Sequence, residues 1–323
     1  MAESSKKHKG LSSSTTTTGQ RRHGASGDFP APPNPSLSSP CSLTLFSFDD
    51  QHQRYYSSFS NRAILDPKFL DFDFFEDETF DCYQVFQNSE LVNFMTLKFP
   101  YYSELVQFFY NNLEICEGII FSEVHKISIV VDQSLFYSLT KLSSQAVPFE
   151  GALVDDWKSI YSSHDARKIV CDENVDKTGC LLVGSFTFEC RIMHYILCQV
   201  MFPRSTNLAQ ASEKVLILLW ALQTGRQIDW AHLVRYRMHK ALWANAPLPY
   251  PHLVTLILRH FNIPLVNEPF VKVKRSFAIG AIVVASFGYR KDLIGQWVCK
   301  QDLPPNASNE RTPSPPPRVP PLH

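Results

Sequence analysis

The sequence predicts a mainly α protein, with a helical bundle core, a small β-hairpin and disordered tails at both ends. Three observations carry that expectation. Apolar residues recur at helical spacing in four stretches between Ser185 and Pro264, parted by short breaks. One of these stretches, Val215 to Leu222, is apolar all round, which requires a central, buried position. Residues 1–42 and 301–323 show no apolar period and are rich in Ser, Thr, Gly or Pro, so they bury too little surface to offset their ordering entropy. The expected organisation is a low-complexity tail over 1–42, a folded region over 43–300 with its helical core at 185–264, and a proline-rich tail over 301–323.

Composition supports one sizeable folded unit. The chain has 323 residues, 44% hydrophobic and 19% charged. Its formal net charge is zero, which gives no overall pull toward nucleic acid or an anionic membrane. The charge is segregated. Asp71, Asp73, Glu76, Asp77, Glu78 and Asp81 form an acidic block, while Lys272, Lys274, Arg275, Arg290 and Lys291 make the C-terminal part basic. Both are expected to be solvated surfaces that attract each other within one molecule. Eight cysteines without a C-x-x-C pair argue against a disulfide framework. The N-terminus, MAESSKKHKGLSSSTTTT, lacks a signal-peptide core. The longest apolar run, Phe277 to Gly288, is too short to cross a bilayer of roughly 30 Å as a helix. The expected location is intracellular, in nucleus or cytoplasm, with no membrane partner.

Taken in order, Asp49 and Asp50 cap a short helix through Ser58. Asn61 to Phe75 reads as extended, because Pro67 disfavours a helix before it; Phe69, Leu70, Phe72, Phe74 and Phe75 interleave there with acids. Pro100 opens an amphipathic helix over Tyr101 to Leu113, with Leu105, Phe108, Phe109 and Leu113 at helical spacing. Cys116 to Phe121 and Ile127 to Val131, parted by Glu123 to Lys126, form the β-hairpin. Asp132 caps a helix holding Leu135, Leu139 and Leu142. Gln145 to Gly184 is loop with short helical pieces around Trp157 and Ala166.

The core follows. Ser185 or Thr187 caps a first helix with Phe188, Ile192, Ile196 and Val200 on one face, and Pro203 ends it. Ser212 caps the second, Glu213 suits its first turn, and Gly225 fits the left-handed position that closes it. Asp229 caps the third, with Trp230, Leu233, Val234, Met238 and Leu242 inward and Arg235, His239 and Lys240 outward. Pro251 opens the fourth, with Leu253, Val254, Ile257, Leu258 and Phe261 inward; Asn262 and Pro264 stop it. Each large side chain buried this way contributes about 1.5–3 kcal/mol.

The run FPRSTNLAQASEKVLILLWALQTGRQIDWAHLVRYRM, then LPYPHLVTLILRHFNIPL, with PYYSELVQFFYNNL upstream, resembles the plant transposon protein domain family of plant retroelement-associated proteins. The resemblance spans roughly Phe59 to Leu265. Its most specific parts are the aromatic-rich helix near Tyr110, the Pro203-Arg204 step, the Gly225 to Asp229 junction and Leu248-Pro249-Tyr250. It implies a shared fold and a retroelement origin, and it carries no reaction.

The sequence carries none of the common catalytic motifs. No spacing singles out the acidic residues that a two-metal nuclease needs. Leu153-Val154-Asp155-Asp156 resembles the paired aspartates of a reverse transcriptase, but the usual aromatic is missing. Neither a G-x-x-x-x-G-K-[ST] phosphate loop nor H-E-x-x-H nor G-x-S-x-G occurs. Cys190, His194 and Cys198 share a helix face and carry zinc-type donors, yet Cys190 and Cys198 are about 12 Å apart along a helix axis. They are expected to be buried as small apolar groups. No catalytic residue, metal or cofactor is assigned. Arg226, Arg235, Arg237 and Lys240, extended by Lys272, Lys274 and Arg275, form a candidate nucleic-acid surface, since basic helix faces position on phosphates. In the tails, Lys6, Lys7, Lys9, Arg21 and Arg22 read as solubilising charge or an import signal. Pro313, Pro316 and Arg318 have the spacing of a ligand for a proline-binding domain. The expected function is a non-enzymatic, retroelement-derived interaction or structural protein, with protein partners or self-association. The alternatives are a nucleic-acid-binding module and a degenerate transposase or nuclease fragment.

Overall fold

A computed structural model describes residues 46–171, 181–204, 207–243 and 245–302. All belong to the second of two compact units, Pro40–His323. The expectations for residues 1–42 and 303–323, and for residues 172–180 of the long loop, lie outside the described residues. The described residues are mainly α, with small sheets.

Asp49 and Asp50 sit in the first turn of α1 (Asp49–Arg54), where their charge suits the helix dipole. They do not cap it: Phe48 holds the cap position, with no side-chain hydrogen bond. The helix widens into a π turn at Tyr55–Phe59 and buries Tyr55 and Phe59. After the two-residue strand β1 (Phe69–Leu70) the acidic-aromatic segment departs from expectation. It turns helical at Phe72, giving α2 (Phe72–Glu78), α3 (Asp81–Asn88) and the single turn α4 (Val92–Met95). Phe75, Cys82, Tyr83 and Phe86 are buried, so helical spacing across the segment outweighs the extended pattern around Pro67. The charge segregation closes partly on itself: Glu78 takes the Lys291 ammonium at 2.5 Å and the Trp297 indole N–H at 2.9 Å.

Helix α5 (Ser103–Asn111) begins later than Pro100 suggests. Tyr101 exchanges both backbone hydrogen bonds with Val271, at 3.1 and 2.8 Å, and is therefore committed to an extended pair. The expected first strand, Cys116 to Phe121, is broken by a turn at Glu117-Gly118, so the hairpin becomes three strands. β2 (Glu114–Cys116), β3 (Ile119–Val124) and β4 (Ile127–Val131) form an antiparallel meander in the order 2-3-4. Its turns are two residues each. Glu117-Gly118 and His125-Lys126 all have positive φ, as two-residue hairpin turns require. The second break is shorter than expected, because Glu123 and Val124 stay in the ladder. Ile120, Ser122, Val124, Ile129 and Val131 face inward, and Phe121, Ser128 and Val130 are exposed.

Asp132 caps α6 (Gln133–Thr140) as expected, accepting the Leu135 N–H at 2.7 Å. Leu135 and Leu139 are only half-buried, and Phe136 is the side chain that goes inside. The long loop holds β5 (Val147–Pro148), a turn of 3-10 helix at Asp155–Trp157 and α7 (Ser163–Val170). Thr187, not Ser185, caps α8 (Phe188–Ile196), which continues as a π turn over Leu197–Met201 before Pro203.

In α9 (Glu213–Gln223) every residue from Val215 to Leu222 is buried, none more than 5% exposed. The helix packs against α3, α7 and α8. Ser212 holds the cap position without a side-chain bond, while the Glu213 carboxylate accepts hydrogen bonds from the hydroxyls of Tyr161 and Ser163. Gly225 has a φ of 67°, and Arg226 N–H reaches Ala221 O at 2.7 Å while Gly225 N–H reaches Leu222 O at 3.2 Å. That 6→1 and 5→2 pair is a Schellman closure. β6 (Ile228–Asp229) pairs in parallel with β5, and Asp229 accepts the His232 N–H at 2.6 Å to start α10 (Trp230–Trp243). Pro251 opens α11 (Pro251–His260) after Tyr250 at a φ of 51°; Asn262, at 54°, follows its end. Phe261, expected inward, is half-buried. The run after Phe277 divides into β7 (Ala278–Ile279), parallel to β1, and α12 (Ala281–Ser286). A final hairpin pairs β8 (Tyr289–Lys291) with β9 (Trp297–Cys299). Among the described residues no helix is long and apolar enough to cross a membrane.

Candidate interaction cleft

The expected basic surface on α10 is divided by the fold. Arg235, expected to point outward, is 4% exposed, with its guanidinium 5.0 Å from the Phe136 ring centroid. The reason is tertiary. Phe136 of α6 and the glycine turn at Gly118 lie against this side of α10, and a Cβ at Gly118 would sit 3.9 Å from the guanidinium. Burial there pulls the Arg235 pKa down, and Asp229 opposes that pull. Arg237 is half-buried, 4.1 Å from the Phe202 ring centroid, and donates to Pro203 O at 2.9 Å. Arg226, Lys240, Lys272, Lys274 and Arg275 are exposed. Lys240 lies 6.0 Å from the Tyr236 ring centroid and Lys274 lies 5.3 Å from that of Phe277. The structure thus keeps five of the seven candidate cations at the surface and gives Arg235 and Arg237 packing roles.

The cysteine-histidine face of α8 is buried, as its spacing suggested. Its three groups do not converge. Cys190 receives Gln223 Nε2 at 3.6 Å, whereas Cys198 Sγ meets His194 Nε2 at 3.5 Å. The same His194 nitrogen lies 3.2 Å from Arg204 Nη2. An arginine can only donate, so Nε2 is the acceptor and His194 is neutral, carrying its proton on Nδ1. Burial, then the Arg204 cation, lowers the His194 pKa to about 4. Burial raises the Cys198 thiol to about 11 and also raises Cys190. A thiol held protonated is a poor nucleophile and a poor metal ligand. Among the described residues, no group of three or more His, Cys, Asp or Glu is placed to hold a metal ion.

A sizeable opening lies elsewhere among the described residues. A cleft of about 760 Å³ runs between the Arg54–Phe59 segment, β2 and the C-terminal end of α10. One wall carries Arg54, Ser57, Ser58 and Phe59, and the other carries His239, Leu242, Trp243 and Asn245. Leu113, Glu114 and Ile115 line it from the sheet. Trp243 is 77% exposed, with His239 packed edge-on at 6.2 Å.

Arg62 fixes this geometry. Its Nε donates to Ala246 O at 3.0 Å and its Nη2 donates to Ala241 O. The guanidinium therefore closes the end of α10, where free carbonyls and the helix dipole favour a cation. Its other face lies 5.1 Å from the Phe59 ring centroid, and Arg54 lies 5.3 Å from the same centroid. Arg62→Met is expected to lower the unfolding free energy by about 2 kcal/mol, because it strands two carbonyls. Denaturant unfolding checks this, and an unchanged midpoint would contradict the capping role.

The edge of β2 carries backbone groups that β3 does not use. Cys116 and Ile119 flank a two-residue turn and form a hydrogen-bonded pair, so Ile115 opposite Ile120 is the non-hydrogen-bonded pair. The N–H and C=O of Ile115 therefore point away from β3, and Ile115 is one of the residues that line the cleft. The sequence placed His239 and Lys240 outward on this helix but passed over Trp243. A signal was present, since Trp243 lies off the stripe of Trp230, Leu233, Val234 and Met238. Arg62, in an extended segment with no motif, gave none.

The chain matches no protein-family model, no curated protein and no solved structure.

Proposed function

We propose that this chain is a non-enzymatic interaction domain, retroelement-derived as its sequence resemblance implies, and that its cleft holds an extended peptide segment of a partner protein. The observation that carries this reading is the outward N–H and C=O of Ile115 in the wall of a cleft that also presents an exposed Trp243. An extended peptide would add to β2 through its main chain, the usual mode of edge-strand recognition. Its apolar side chain would lie on Trp243 and Leu242, and an acidic side chain would meet Arg54 and His239. In this reading α8 to α11 act as a helical bundle core that holds the cleft walls in place.

A random peptide library displayed against the full chain tests the proposal. Enriched peptides should lose at least about tenfold in affinity on Trp243→Ala, as anchoring aromatics do. The far-UV spectrum and melting temperature should not move, because this side chain is mostly solvated. Failure to enrich any peptide whose binding depends on Trp243 would overturn the reading.

A nucleic-acid module is the second reading, favoured by one observation. Trp243 is exposed three residues after exposed Lys240, with Arg54 across the cleft. That combination offers a base-stacking ring beside phosphate-binding cations. A labelled single-stranded oligonucleotide that binds at about 50 mM salt, falls steeply with added salt and weakens on Lys240→Ala would favour it over the peptide.

A further inference from the structure

The other edge of the meander has a different character. We propose that β4 pairs with β4 of a second copy of this chain, antiparallel about a two-fold axis at Ile129, to make one continuous six-stranded sheet.

The hydrogen-bond pattern comes first. Val124 and Ile127 flank the His125-Lys126 turn and form a hydrogen-bonded pair. Pairing alternates from there, so Ser128 opposite Glu123 and Val130 opposite Phe121 are the non-hydrogen-bonded pairs. The N–H and C=O groups of Ser128 and Val130 therefore point outward from the sheet. No backbone partner takes them up among the described residues.

The edge also lacks the usual protection. Ile127 to Val131 contains no proline and no charge, and four of its five residues are β-branched aliphatics. Edges that stay single carry such blunting devices. On the outer face Phe121 and Val130 are exposed beside this edge, at 37% and 45%.

What selects a second copy as the occupant is charge. In the antiparallel register that centres on Ile129, Ser128 lies opposite Val130 of the partner, and the outward N–H and C=O groups meet in two hydrogen-bonded pairs. Two residues further out, Lys126 lies opposite Asp132 of the partner, and the two-fold axis repeats that pair at the other end. Both side chains are exposed, and no ion pair holds either of them within the described chain. The strand is thus self-complementary in hydrogen bonds and in charge, the condition for an isologous interface. A one-residue slip turns the hydrogen-bonding groups away from each other, and a two-residue slip keeps them paired but takes Lys126 off Asp132, so hydrogen bonds and charge together select this register.

Sedimentation of the full chain over a micromolar series tests this. A dimer is expected, weakening as salt rises. Lys126→Asp sets two like-charged pairs against each other and should raise the dissociation constant at least about tenfold. Ser128→Pro removes an outward N–H that the β3–β4 ladder does not use, so a folded monomer should result. Circular dichroism melts report whether each variant folds, and Lys126→Asp, at an exposed turn, stands as the test if the proline variant does not. A monomer at every concentration would overturn the proposal, as would a dimer indifferent to Lys126→Asp. Because the peptide cleft lies on β2, loss of the dimer with Trp243-dependent peptide binding retained would leave the functional reading standing.

Discussion

Leu218→Ala is expected to lower the unfolding free energy by about 2–5 kcal/mol, the range for truncating a fully buried leucine. Leu218 is 0% exposed at the middle of α9, whose flanking residues are themselves buried. The helix is enclosed by α3, α7 and α8, so the vacated space has no wet side from which it can collapse cheaply. For a domain of this size each kcal/mol corresponds to roughly 2–4 °C in melting temperature, so the variant should melt well below the parent. Leu293→Ala provides the contrast. That leucine is 99% exposed and should change stability by no more than about 0.5 kcal/mol. Thermal and urea unfolding of the pair decide the matter. Equal losses, or none at Leu218, would mean that α9 is not the centre of the fold.

Acid should destabilise the protein well before its carboxylates are protonated. His194 and His252 are both buried, and burial lowers each pKa from 6.5 to about 4. His194 faces the Arg204 cation and the Cys198 thiol; His252 accepts the Phe99 N–H at Nδ1, 3.1 Å away. In the folded protein both stay neutral from pH 6.5 down to about 4, while in the unfolded chain both take up a proton in that range. The unfolded state thus binds more protons between pH 6.5 and about 4, and stability falls as pH falls through that window. Above pH 6.5 neither state is charged at these sites and the effect vanishes. Below pH 4 both states are charged and the loss stops growing. Each shift converts to about 3 kcal/mol as an upper bound, so the two together are comparable to the stability of many domains. Urea unfolding at pH 7, 6, 5 and about 4.5 should show a steady decline. His194→Gln and His252→Gln should each flatten the slope, and a slope unchanged in both would contradict the burial of these rings as neutral groups.

Much of the local structure was legible because its causes lie within a few residues. Asp132, Thr187 and Asp229 each reach a backbone N–H three residues on, and Gly225 takes up a left-handed φ where the helix must stop. The His125-Lys126 turn and the alternating strand after it are equally local. Where sequence reasoning missed, a distant partner had changed the outcome. Tyr101 left its helix to pair with Val271. Ser212 does not cap, and Glu213 beside it is held by Tyr161 and Ser163 across the fold. The acidic-aromatic segment became helical because its rings found a common interior.

The candidate site follows the same division. Lys240 and His239 could be placed on an outer helix face from periodicity alone. Their neighbour Arg235 could not, since the Phe136 ring it lies over comes from a helix about a hundred residues earlier. The cleft joins Arg54 and Ser57 to Trp243, and its shape depends on Arg62 reaching the Ala241 carbonyl in the last turn of α10 and the Ala246 carbonyl beyond it.

By itself the sequence determined the mainly helical class, the burial of Val215 to Leu222 and the helix starts and stops at Asp132, Thr187, Gly225, Asp229 and Pro251. Periodicity and capping act over one or two turns of chain, and those are written in adjacent residues. Only the tertiary structure decided which cations stay wet, which strand edges stay open and where a cleft forms. Those outcomes depend on which surfaces meet across long separations in sequence, and no local pattern encodes that meeting.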